Sequence, residues 1–90
     1  MRFEYDRLKS DSNKQKHGID FEQARDLWKR TVIELPSKYK REPRKLVIGR
    51  MKNKFWTAIV TERGDAIRII SVRRARDEEE RLYEKITKNQ

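Results

Sequence analysis

The stretch Thr61–Arg74, TERGDAIRIISVRR, holds the only β-branched run long enough for a central strand and has arginines at both ends. Over Ala66–Arg73 a regular strand divides its side chains into Ala66, Arg68, Ile70 and Val72 on one face and Ile67, Ile69, Ser71 and Arg73 on the other. Both sets are mostly apolar, so the strand belongs inside a sheet. An arginine between Ile67 and Ile69 is costly unless its charge is matched, so Arg68 calls for an ion pair or a phosphate in a cleft. Arg68 and Arg73 point to opposite sides of a regular strand, and only a bulge brings them together.

The rest of the chain supplies the neighbours of that strand. Residues 1–5 alternate Met1, Phe3 and Tyr5 with Arg2 and Glu4, the period of a short edge strand. Asp6 caps a polar helix over Arg7–Lys16 whose one large apolar residue is Leu8, so this helix is expected to be short and weakly anchored. Gly18 stops it, and Asp20 starts another, with Ile19 stapled against Ala24 and a stripe of Phe21, Ala24, Leu27 and Trp28. Strands follow at Thr31–Leu35, ended by Pro36, at Leu46–Arg50 and at Phe55–Thr61. Pro36–Arg44 is an exposed basic loop, Lys52, Asn53 and Lys54 make a hairpin turn, and Glu62–Asp65 turns at Gly64. Asp77–Lys88 is the last helix, with Leu82, Tyr83 and Ile86 on its apolar side, Glu79 at the border, and acid-before-base pairs Asp77–Arg81 and Glu84–Lys88. Residues 88–90 are expected to fray. This order predicts an α+β fold, an antiparallel sheet of four to five strands packed against helices. One sheet face takes the helix at 20–29, with 77–88 a candidate for the same face, and the other is left concave and open to a ligand.

Ninety residues support one core, so 1–90 reads as a single domain. The absence of cysteine excludes disulfides and thiolate metal sites, and a lone histidine excludes the commonest zinc ligand sets. No segment is apolar enough to span a bilayer and the first residues lack a secretory core, which predicts a cytoplasmic protein. A formal charge of +9, spread over both halves, favours polyanions: nucleic acid, an acidic protein, or each in turn.

His17 is the default general acid or base, unless it only caps its helix. Arg63, Arg68, Arg73, Arg74, Arg76 and Arg81 can grip phosphate and stabilise a pentacoordinate transition state, or remain a solvated surface paired with acids. Glu80 and Glu84 can serve as a base toward a ribose 2′-OH or be ordinary exposed carboxylates, and Tyr83 can be catalyst or core anchor. No glycine-rich phosphate loop, Mg²⁺ carboxylate cluster or nucleophile triad is present in the sequence. The economical chemistry therefore uses neither metal nor cofactor: transfer of an RNA phosphate to the neighbouring 2′-OH.

FEYD at Phe3–Asp6, Lys9, NKQKHGIDF at Asn13–Phe21, Ala24, Arg44, Gly49, TERG at Thr61–Gly64, IRIISVRRA at Ile67–Ala75, and Glu80, Arg81, Tyr83 and Glu84 together resemble the BrnT family of type II toxin–antitoxin toxins. Lys29, Arg30 and Thr31 replace the acidic residue and proline usual there, Val72 changes the family's ISAR to ISVR, and the loop 36–44 is more basic. The resemblance implies a RelE-like fold and an endoribonuclease that arrests translation, with His17, Arg68, Arg73, Glu80 and Tyr83 as catalytic residues and Lys16, Arg63, Arg74 and Arg81 binding RNA; Lys54, outside the matching motifs, is a further candidate RNA contact. It also implies a DNA-binding, BrnA-like antitoxin flanking a toxin homodimer in a heterotetramer. A non-catalytic nucleic-acid-binding protein and a structural partner of an acidic antitoxin are the alternatives.

Overall fold

The computed structural model describes residues 1–88; Asn89 and Gln90, expected to fray, lie outside the described residues. Its elements are β1 (Arg2–Glu4), α1 (Arg7–His17), α2 (Phe21–Ala24) continued by a 3₁₀ helix (Arg25–Lys29), β2 (Val32–Pro36), β3 (Lys45–Met51), β4 (Lys54–Arg63), β5 (Ala66–Arg74) and α3 (Asp77–Thr87). The α+β class holds, in one five-stranded sheet ordered β1-β5-β4-β3-β2. Strands β2 to β5 form the expected antiparallel meander, and the edge strand β1 closes the far side parallel to β5, so the sheet is mixed. Among the described residues no helix is long and apolar enough to cross a membrane.

Local chemistry sets the boundaries. Pro36 does not end β2 early: it pairs with Lys45 as the last residue of an edge strand, where a missing N–H breaks no ladder. Lys52 and Asn53 both adopt positive φ, 54° and 64°, the requirement of a two-residue I′ hairpin, and Lys54 joins β4 instead of the turn. Gly18 closes α1 at φ 79°, donating its N–H to the Lys14 carbonyl at 2.9 Å. Asp20 accepts from Gln23 N–H at 2.7 Å while the Gln23 side chain accepts from Asp20 N–H at 3.0 Å, a complete capping box.

Helices cover both faces of the sheet. Ile19, Phe21, Ala24 and Leu27 pack on Val47, Met51, Trp56, Ala58, Val60, Ile69 and Val72 as one buried cluster. Gly49 suits the close packing here, because a Cβ would lie 3.0 Å from Val32 Cγ1 and 3.1 Å from Leu27 Cδ2, and both side chains would have to shift. α3 does not share that face. With the first face filled by Phe21 and Leu27, the apolar side of α3 meets the opposite one, where Tyr83 packs edge-on against Phe55 at 5.4 Å. The face expected to be open is therefore open only beside α3. Asp77–Arg81 and Glu84–Lys88 do not close to ion-pair distance among the described residues.

The attachment of α1 also differs from expectation. Leu8 is 78% exposed, and the buried residues of the helix are Ser10 and Asn13. Asn13 Nδ2 donates to the Val72 and Ile19 carbonyls, each at 2.8 Å, and its Oδ1 accepts from Val72 N–H at 3.1 Å. β1 pairs only with Ala66–Arg68, so beyond it the Asn13 amide takes the place of a strand on the free edge of β5. Ser10 Oγ accepts from Phe21 N–H at 2.9 Å, tying α1 to α2.

Candidate functional site

The bulge that would bring Arg68 and Arg73 to one face is present. Ile59 pairs with Ser71 and Val60 with Ile69, so Ile70 is the extra residue on β5. Cross-strand partners share a face, which puts Arg73 with Thr57, Ser71 with Ile59 and Arg68 with Thr61, all on the side of the sheet that carries α3. The bulge joins the faces but not the residues: Thr57 and Thr61 are four positions apart on β4, about 13 Å along the strand. Arg68 lies at the far end, 3.8 Å from Glu4, with its side chain 30% exposed.

Arg73 is held by a carboxylate that the sequence marked only as a border residue. Glu79 is 6% exposed and accepts from Arg73 Nη1 at 2.8 Å and Nη2 at 3.0 Å, from Arg76 N–H at 2.8 Å, and from Thr57 Oγ1 at 2.9 Å. Thr57 is wholly buried. Burial alone would push the Glu79 carboxyl up; the hydrogen bond from Arg73, then those from Arg76 and Thr57, reverse this and lower it to about 2. It is therefore ionised at neutral pH. A legible signal did exist, since Glu79 is three residues after Arg76, where a carboxylate can reach back to the first free N–H of a helix.

Arg73 has five donors in all, and Nη1 also donates to the Arg74 carbonyl at 3.3 Å, so three are engaged and two remain for a ligand. They border a concavity of about 670 Å³ over Leu46 and Ile59, rimmed by Lys38, Tyr39, Arg44, Arg76 and Glu78. The Arg44 guanidinium lies 3.7 Å from the Tyr39 ring centroid, fixing a second planar cation at the rim. Apolar strand residues floor the hollow and cations edge it, as suits a nucleotide with its phosphate.

The other expected site residues are distributed around this hollow and away from it. Lys16 and His17, both exposed, line a shallow depression with Lys9, Ile70 and Ser71 at the edge of β5. Tyr83 donates its hydroxyl to the Thr31 carbonyl at 3.0 Å and lines a separate hollow near the β3–β4 hairpin. Glu80 is half-buried on α3, and Arg81 is exposed on the same helix. Arg63 is exposed at the β4–β5 turn. Arg74 lies 5.6 Å from the Trp56 ring centroid on the face covered by α2 and the 3₁₀ helix, and the register puts Lys54 on that face too. The structure thus gathers Arg73, Arg76, Thr57 and Glu79, and leaves His17, Arg68 and Tyr83 in three other places. Among the described residues no three His, Asp or Glu side chains converge as a metal site.

No curated protein matches the chain significantly. A family model described as "Ribonuclease toxin, BrnT, of type II toxin-antitoxin system" matches residues 5–79, a span that includes the bulge, Thr57, Arg73 and Glu79. The chain therefore belongs to the BrnT family of ribonuclease toxins, whose partner in a type II system is an antitoxin.

Proposed function

We propose that this toxin cleaves RNA without a metal ion, at the concavity beside Arg73, by moving the scissile phosphodiester onto the adjacent 2′-OH. The observation that carries this reading is the Arg73–Glu79 pair: a guanidinium clamped through a buried carboxylate, with two donors left toward a basic hollow. The 2′ oxygen attacks phosphorus, the bond to the 5′ oxygen breaks with a proton delivered to that oxygen from solvent, and the products end in a 2′,3′-cyclic phosphate and a 5′-OH. Arg73 and Arg76 stabilise the charge that accumulates on the phosphoryl oxygens. Glu79 cannot be the base, because a carboxyl held near 2 and already accepting four hydrogen bonds has little affinity for another proton. Glu78 lines the same hollow and forms no ion pair among the described residues, and it accepts the 2′-OH proton. Arg68 and the Lys16–His17 depression hold RNA to either side of the scissile bond. Such cleavage in the cytoplasm arrests translation, and the antitoxin neutralises it by covering the hollow.

The test is incubation of wild type, Arg76→Ala and Glu78→Gln with a short RNA in EDTA, with product ends analysed by mass spectrometry. Both substitutions leave the Arg73–Glu79 pair in place. Wild type is expected to yield cyclic phosphate ends, Arg76→Ala to lose about ten- to a hundredfold in kcat/KM and Glu78→Gln about a hundredfold or more. Abolition of wild-type cleavage by EDTA would refute the metal-free chemistry. Salt-sensitive RNA binding with no cleavage at all would make the protein a binder instead.

A further inference from the structure

We infer that Tyr39 is the base-stacking residue of the Arg73 hollow: its ring takes the nucleobase of a nucleotide whose phosphate lies at Arg73. This names the part of the substrate held there and rests on the proposed reading of that hollow. Tyr39 and Arg73 line the same concavity, together with Leu35, Leu46 and Ile59. Those three are successive cross-strand partners on β2, β3 and β4, and Ser71 continues the row on β5. The row is three strand spacings wide, about 14 Å. Arg73 stands two residues beyond Ser71, and Tyr39 follows the end of β2 at Pro36, so cation and ring come from opposite sides of one apolar floor. Two long side chains reaching into that width leave room for a single nucleotide.

The ring is held ready for a partner. Phe3 packs against Trp28, Tyr5 against Phe21 and Phe55 against Tyr83, and Trp56 is buried, whereas Tyr39, at 41%, is the one exposed aromatic side chain among the described residues. The Arg44 guanidinium covers one face of the Tyr39 ring at 3.7 Å, so the opposite face and the edge carry that exposure. Glu42 accepts from Arg44 Nε at 3.2 Å and pairs with its Nη2 at 3.1 Å, which matches the charge and fixes the guanidinium as a support for the ring. The backbone beneath is tied as well: Ser37 N–H donates to the Arg44 carbonyl at 2.9 Å, and Tyr39 N–H donates to Ser37 Oγ at 3.2 Å. A base on the free face completes a three-layer stack.

A nucleobase fits this arrangement better than an apolar side chain of a protein partner. Either would cover the ring and the floor, but only the base is linked to a phosphate that can accept from the two uncommitted donors of Arg73. Every base has a π-face, so Tyr39 contributes affinity and register with little preference for sequence.

Anisotropy with a fluorescent, uncleavable 2′-O-methyl RNA tests this independently of catalysis. The same RNA with one base removed at a time is compared on wild type, Tyr39→Ala, Tyr39→Leu and Tyr39→Phe, and thermal melts establish that each protein is folded. One abasic position is expected to weaken wild type about tenfold and Tyr39→Ala by less than about twofold. On the intact RNA, Tyr39→Ala and Tyr39→Leu should bind about tenfold more weakly with an unchanged log–log salt slope, and Tyr39→Phe like wild type. An abasic penalty equal in wild type and Tyr39→Ala overturns the stacking. So does a slope flattened by about 0.7, which would mean that the ring acts only by placing Arg44 on a phosphate. Tyr39→Phe as weak as Tyr39→Ala would assign the effect to the hydroxyl, and undiminished RNA binding by Tyr39→Ala would leave the ring to a protein partner; either refutes the inference. Arg76-dependent cleavage with no such coupling leaves the proposed catalysis standing without the stack, whereas coupling in a protein that cuts no cleavable RNA leaves the stack standing without the catalysis.

Discussion

Glu79 ties strand to helix through one side chain, and its energetics have a definite sign. Its carboxyl titrates near 2 in the folded protein against about 4.3 in an unfolded chain, so its stabilisation is fully present above about pH 4.5 and fades as pH falls toward 2. Glu79→Gln leaves Arg73 partly buried without its counter-charge and should cost about 3 kcal/mol at pH 7. Urea denaturation of both proteins at pH 7 and pH 3 checks this: the gap should narrow in acid, and a constant gap would mean that packing rather than charge is lost. In the sequence, the R-x-x-E spacing of Arg76 and Glu79 was readable, but its burial was not. That depends on which sheet face receives α3, and an amphipathic helix can serve either.

α1 and β5 show how elements are joined by features that a hydrophobic pattern passes over. Leu8, the one large apolar residue of α1, is in solvent, while Asn13 satisfies three backbone groups. Leu8→Ala should therefore change stability by no more than about 0.5 kcal/mol. Asn13→Ala, which orphans Val72 N–H and two carbonyls in the interior, should cost about 3 kcal/mol or more. Chemical denaturation of the two variants side by side decides it, and a larger loss for Leu8→Ala would overturn this account of the attachment. The β5 bulge is similar. Ile69, Ile70 and Ser71 are all acceptable strand residues, so nothing in their identity shows which one is unpaired; the pairing with Ile59 and Val60 decides that. The strands and the caps at Asp6, Gly18 and Asp20 were legible because each depends on residues within a few positions.

At the scale of the molecule, the first strand closes a sheet whose other strands all lie beyond residue 31. Phe3 packs edge-on against Trp28 at 5.0 Å, Tyr5 packs against Phe21 at 5.7 Å and donates its hydroxyl to Glu22 at 2.7 Å, and β1 covers part of the β5 edge. Deleting residues 1–5 should abolish the cooperative thermal transition or drive association through the bared edge. Calorimetry and size-exclusion chromatography report this, and a monomer melting within a few degrees of wild type would refute it. By itself the sequence determined the α+β class, the four-strand meander, the helix caps, the cationic character and the resemblance to a toxin family, all of which follow from local spacing, turn chemistry and net charge. Only the tertiary structure decided that β1 runs parallel to β5, that α3 takes the face opposite α2, that a bulge aligns Arg68 with Arg73 yet leaves them some 13 Å apart along the sheet, and that Glu79 is the partner of Arg73. Those outcomes depend on which distant surfaces meet and exclude water, and no window of neighbouring residues contains that choice.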